Sequence, residues 1–125
     1  MRIKKELLYL QKNFTNQTNM THQELINMFV NEYSMDKQDA QNLACRNIEL
    51  SAKLKNGVVQ FSYKKNDGTT RVAKGTLVEN AMPIVKGTGR PTAPILFLYY
   101  DVEKLSFRSF KRINLLKTEG YENYN

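Results

Sequence analysis

His22 and Cys45 are the sole histidine and the sole cysteine in a chain of 125 residues. An imidazole beside a thiol can generate a nucleophile, but these two fall in different predicted elements and no third group is spaced to orient them. Cys45 sits next to Ala44 and Ile48 in a helical pattern, which predicts a buried, inert thiol. A single cysteine excludes an intramolecular disulfide and a Cys-rich zinc centre. No His, Cys and carboxylate set has ligand spacing, so no metal and no cofactor is expected. Asp67 and Asp101 lie at predicted turns, where Asp bonds nearby backbone N–H groups, and not inside an apolar motif that would tune a pair for acid–base work. The chain reads as non-enzymatic.

The cations carry more information. Nineteen Lys and Arg against twelve Asp and Glu give a net charge of +7, enough to favour polyanionic partners. The excess is uneven: Met1 to Lys55 holds eight basic and six acidic residues, and Asn56 to Lys117 eleven and four. The candidate nucleic-acid-binding set is Lys64, Lys65, Arg71, Lys74, Lys86, Arg90, Arg108, Lys111 and Arg112, with Tyr63, Tyr99, Tyr100 and Phe110 interleaved. Small barrels bind nucleic acid with such cations on phosphates and aromatics under bases. The alternative is that the aromatics form core and the cations only a solvated rim. Arg71 or Arg108 can instead pair with Asp67 or Asp101. Within Lys86-Gly-Thr-Gly-Arg90-Pro, glycine N–H groups and two cations could cradle a phosphate, or an extended Arg could enter a minor groove. The segment lacks Walker spacing, an adjoining helix start and flanking Arg-Gly repeats, so a plain loop is the preferred reading.

These residues need a scaffold. Ile3, Leu7, Leu10 and Phe14 step by four, three and four, predicting an amphipathic helix. Thr21-His22-Gln23-Glu24 has the form of a capping box, opening a second helix whose apolar face is Leu25, Ile26, Phe29, Val30 and Tyr33. Ser34 or Asp36 can cap a third, carrying Ala40, Leu43, Ala44, Ile48 and Ala52 and ending near Gly57 in a left-handed cap. The period then changes to two. Val59, Phe61 and Tyr63 alternate with polar residues, Asn66-Asp67-Gly68 suits a tight hairpin, and Thr69 to Glu79 returns as a strand in which Gly75 predicts a bend or bulge. Residues 83–94 hold all three prolines and read as a loop. Ile95 to Tyr100, apolar at every position, must be covered on both sides. A turn at Asp101 to Lys104, a strand from Leu105 to Phe110 and a short element around Ile113, Leu115 and Leu116 complete the pattern, with 118–125 a flexible tail.

Five short strands in about sixty residues suit a small barrel. The run from Val59 to Leu77 with its Lys-x-Asp-Gly-Thr-x-Arg-x-Ala-x-Gly-Thr hairpin, followed by Tyr99-Tyr-Asp-Val-Glu103 and Phe107-Arg-Ser-Phe110, resembles the WYL-related Sm-like/SH3 β-barrel family (WYL_2) of phages and Bacteroides-type bacteria. The resemblance covers about residues 57–117. The family's last motif usually begins with Trp where this chain has Phe107, which keeps the aromatic packing and removes an indole donor. The resemblance implies ligand sensing or nucleic-acid-linked regulation, by analogy of fold.

The expected molecule is α+β: a helical N-terminal region over 1–56 packed on a C-terminal five-stranded SH3/Sm-like barrel over 57–117. Its expected partner is nucleic acid or a nucleotide-like anion, bound on the basic barrel surface. The competing reading is a protein-interaction or virion-associated module, homo-oligomer included, assembled through helix residues such as Phe29 and Val30. A helix-turn-helix over Thr21 to Lys55 is a third, weakened by having no Arg beyond Arg46. No apolar run approaches a membrane span and Met1 to Glu6 do not lead into a signal-peptide core, so a cytoplasmic protein with no membrane partner is expected.

Overall fold

The change of period at Gly57 is where helix gives way to strand. The computed structural model describes residues 20–83 and 92–123; the predicted first helix, Lys86 and Arg90 lie outside them. Helix α1 runs His22–Tyr33 and α2 Lys37–Asn56, followed by strands β1 (Gly57–Lys64), β2 (Thr70–Thr76), β3 (Leu96–Asp101), β4 (Ser106–Lys111) and β5 (Leu115–Asn123). Short 3₁₀ turns occupy Glu79–Ala81 and Arg112–Asn114. Among the described residues no helix is long and apolar enough to cross a membrane.

The capping box forms as its sequence requires. The Glu24 N–H donates to Thr21 Oγ1 and the Thr21 N–H to Glu24 Oε1, each at 3.1 Å, which satisfies two donors that a helix start leaves open. Asp36 caps α2, accepting from the Gln38 and Asp39 N–H groups. The buried stripe of α2 is Ala40, Leu43, Ala44, Asn47, Leu50, Ser51 and Leu54. Ile48 is 36% exposed, so the expected face is rotated: two polar residues, Asn47 and Ser51, occupy the inward stripe. Gly57 is extended, with φ −179°. It closes no left-handed cap, and α2 passes directly into β1.

The five strands form one antiparallel sheet in the order β4-β3-β2-β1-β5. The edge strands β4 and β5 do not pair, so the expected closed barrel is an open sheet; the Arg112–Asn114 turn joins the two edges instead of a ladder. Curling is nevertheless strong. Tyr63 on β1 and Phe110 on β4 stack with centroids 4.5 Å apart although two strands separate them in the sheet. Val59, Phe61, Ala73, Phe97 and Phe110 fill the concave face and join Leu25, Phe29, Leu43, Leu50 and Leu54 of the helices in a single core. β5 continues along β1 as far as Gly57 opposite Asn123, beyond Thr118, where the flexible tail was expected to begin.

Two further glycines differ from expectation for identifiable reasons. In the hairpin only Gly68 has positive φ, at 89°. The Gly68 N–H donates to the Lys65 carbonyl and the Lys65 N–H to the Thr69 carbonyl, giving a longer loop than a two-residue turn. Gly75 pairs in register with Val59. A Cβ there would lie 2.6 Å from Tyr99 Cδ2 and 3.1 Å from Phe61 Cε1, so the position serves close approach of two rings and not a bulge.

Candidate nucleic-acid interface

β1 and β2 converge on the hairpin, and the curl of the sheet brings β4 alongside it. A groove of about 450 Å³ opens between them, walled by Lys64, Lys65, Arg71, Arg108 and Lys111 with one carboxylate, Asp67, over a floor containing Tyr63 and Phe110. Five of the nine cations named from the sequence thus share one concavity. Lys64, Lys65, Arg108 and Lys111 are exposed, and none of these four makes an ion pair among the described residues.

Arg71 behaves differently. Its Nη2 donates to Asp101 Oδ2 at 2.5 Å, with the carboxylate fully buried. The other Asp101 oxygen accepts from the Glu103 and Lys104 N–H groups at 3.0 and 2.9 Å, holding the turn in which Leu105 adopts φ 53°. Burial pushes the Asp101 carboxyl up, but the Lys104 N–H, the Arg71 guanidinium and the Glu103 N–H together hold it below the usual carboxylate range. The hydrogen bond to Asp101 raises Arg71 in turn. Among the described residues, buried Arg71 Nε has no hydrogen-bond partner. The two side chains anchor the groove wall, and their charges cancel there.

The groove floor is aromatic core. Tyr63, Tyr99, Tyr100 and Phe110 are all less than 9% exposed, so base stacking on them, as the sequence suggested, is blocked. The Tyr63 and Tyr99 hydroxyls share a hydrogen bond of 2.8 Å, and burial first, then that bond, pushes the Tyr99 phenol upward. At the turn, Asp67 Oδ1 accepts from the Thr69 N–H and hydroxyl at 2.9 and 2.6 Å, the local role expected for Asp in a turn.

Two of the named cations, Lys74 and Arg112, do not line the groove. Lys74 is exposed on β2, one residue out of phase with the inward Ala73 and Gly75, and does not line it. Arg112 is 1% exposed; its Nε donates to the Pro94 carbonyl at 2.8 Å and its guanidinium lies 5.1 Å over the Phe97 ring. Burial pushes it down to about 10. This arginine is a core residue, and its parity with inward Phe110 was the available signal. Lys86 and Arg90 lie outside the described residues.

Cys45, predicted to be a buried thiol, is not one. It is exposed, with Sγ 3.3 Å from His22 Nε2, because the rotated face of α2 turns it outward beside the start of α1. Neither residue lines the groove. Among the described residues no three His, Cys, Asp or Glu side chains group as a metal site. A second cavity of about 590 Å³, lined by Leu25, Asn47, Ile48, Ser51 and Arg112 among others, lies at the helices. Of the two helix residues expected to mediate assembly, Phe29 is fully buried and Val30 half-buried.

No curated protein and no solved structure matches the chain. The family model described as WYL_2, Sm-like SH3 beta-barrel fold, matches residues 47–116, from the second half of α2 through the start of β5. That is just over half the chain, and it includes every described residue of the groove: the protein belongs to the WYL_2 family.

Proposed function

We propose that this protein is a non-enzymatic regulatory module that binds nucleic acid, or a nucleotide-like anion, through the groove between the hairpin and β4. One observation carries the reading: Lys64, Lys65, Arg108 and Lys111, from separate segments of the chain, rim one concavity with no carboxylate paired to them among the described residues. Arg71, fixed by Asp101, shapes the wall against which they stand. Solvated cations gathered in a concave site concentrate the positive potential that draws a phosphate-bearing partner.

The test is binding of labelled oligonucleotide by fluorescence anisotropy, with Lys64, Lys65 and Lys111 changed to Glu together. Expected is a large loss of affinity with unchanged far-ultraviolet circular dichroism. Binding that survives the triple substitution places the site elsewhere and ends the reading.

A further inference from the structure

Resting on that reading of the groove, we infer that its ligand is the sugar-phosphate backbone of a single strand, held without regard to base sequence. Sequence-tolerant single-strand binders commonly combine cations with exposed aromatic platforms. Here the two parts are separated. The rings lining the groove, Tyr63 and Phe110, are 5% and 4% exposed and stacked on each other with planes 13° apart, so neither offers a face to a base. Apart from the cations, the polar side chains lining the groove are Asn66, Asp67 and Ser109; Asp67 is engaged by Thr69, which leaves Asn66 as the one amide able to make a bidentate base contact. What the rim offers in quantity is positive charge, and that suits phosphate.

The concave shape selects one strand. Lys64 and Lys65 stand on the hairpin side, and Arg108 and Lys111 on the β4 side. A single backbone can lie between them with cations on both sides, whereas the stiff, broad cylinder of a duplex cannot enter a groove of about 450 Å³ and meets the same cations from outside only. The charge is also countable. Arg71 is neutralised by Asp101 and releases no counterion. Lys65 lies near Asp67, whose carboxyl the Thr69 hydroxyl and N–H hold low and Lys65 helps to hold. Three to four cations therefore act on phosphate, and with about 0.7 counterion released per single-strand contact the slope of log K against log salt is about −2 to −3.

The experiment measures anisotropy of the full chain with fluorescein-labelled oligo-dT, oligo-dC and a mixed-sequence duplex, each about 20 nucleotides or base pairs long, across a salt series. Expected are affinities for oligo-dT and oligo-dC within about threefold of each other, weaker binding of the duplex, and the slope above. Discrimination between the homopolymers beyond threefold, or a duplex bound as tightly as the single strands, overturns the backbone-only inference and leaves the basic groove as an anion site. Absence of salt-sensitive binding to all three probes at low salt overturns the functional reading itself, so the two failures are distinct.

Discussion

At the hairpin end of the curled sheet, Lys64, Lys65, Arg108 and Lys111 stand in water around a groove. Toward the helices, Arg112 is 1% exposed, sandwiched by the Phe97 ring and the Pro94 carbonyl, with its own carbonyl accepting from Asn47 Nδ2 at 3.2 Å. The formal charge is the same and the physics is opposite. The exposed cations keep their hydration and exchange counterions with a partner, whereas the buried one has lost hydration and is retained for the contacts that its planar donor group makes. Arg71 lies between these extremes, part-buried and neutralised by Asp101. Net charge therefore overstates the field available to a ligand, and burial decides which cations contribute.

The strongest way to break the contrast is to truncate the buried member. Arg112→Ala leaves the Pro94 carbonyl without its donor and opens a void beside Phe97, and should cost about 3 kcal/mol or more in urea unfolding. Arg112→Met fills the space without a buried charge and should recover a large part of that loss. If Ala is tolerated with an unchanged midpoint, Arg112 is not a core residue and the comparison fails.

Asp101→Asn should cost nearly as much, about 3 kcal/mol, because Arg71 loses its counter-charge inside the wall. The pH dependence fixes the sign. The Asp101 carboxyl is held below its ordinary range in the folded state, so between that lower value and the unfolded one, near 4, the unfolded chain binds more protons than the native one. Its contribution is complete above the unfolded value and is lost as pH falls through the lower, folded value. The wild type should show this acid-limb slope in the urea midpoint, and Asp101→Asn should show less of it.

Gly75→Ala tests the packing above the groove wall. The new methyl collides with the Tyr99 ring, and the expected destabilisation is about 1–3 kcal/mol. A bulge-forming glycine elsewhere in a strand would tolerate Ala better.

The chain makes some of this legible and hides the rest for physical reasons. The capping box, the Asp36 cap, the alternation of Val59, Phe61 and Tyr63, and the hairpin depend on local spacing, and each is present. An Arg pairing with Asp101 is likewise readable, since both belong to the motif-bearing strands. The rotated face of α2 was not, because Asn47 and Ser51 are buried through tertiary hydrogen bonding and packing that no hydropathy pattern records. That rotation also brings Cys45 to His22. Closure of the barrel depends on whether two edges meet, a long-range matter that turn chemistry does not determine. Which cations converge follows from sheet curl, so sequence could name nine candidates but not choose the five at the groove.

The smallest expected effect sharpens the comparison most. Lys64→Glu and Lys111→Glu, made singly, should leave the urea midpoint where it stands in the wild type, because neither side chain is buried or ion-paired among the described residues. The same reversal at Arg112 should abolish folding, since an unpaired carboxylate would take a site that already lowers a guanidinium to about 10. Each groove substitution should reduce the salt slope for single-stranded probe by about 0.7, one contact at a time. A midpoint shift at Lys64 or Lys111 as large as that of Gly75→Ala would mean these cations hold the fold together, and a residue occupied in that way cannot also be free to meet a phosphate.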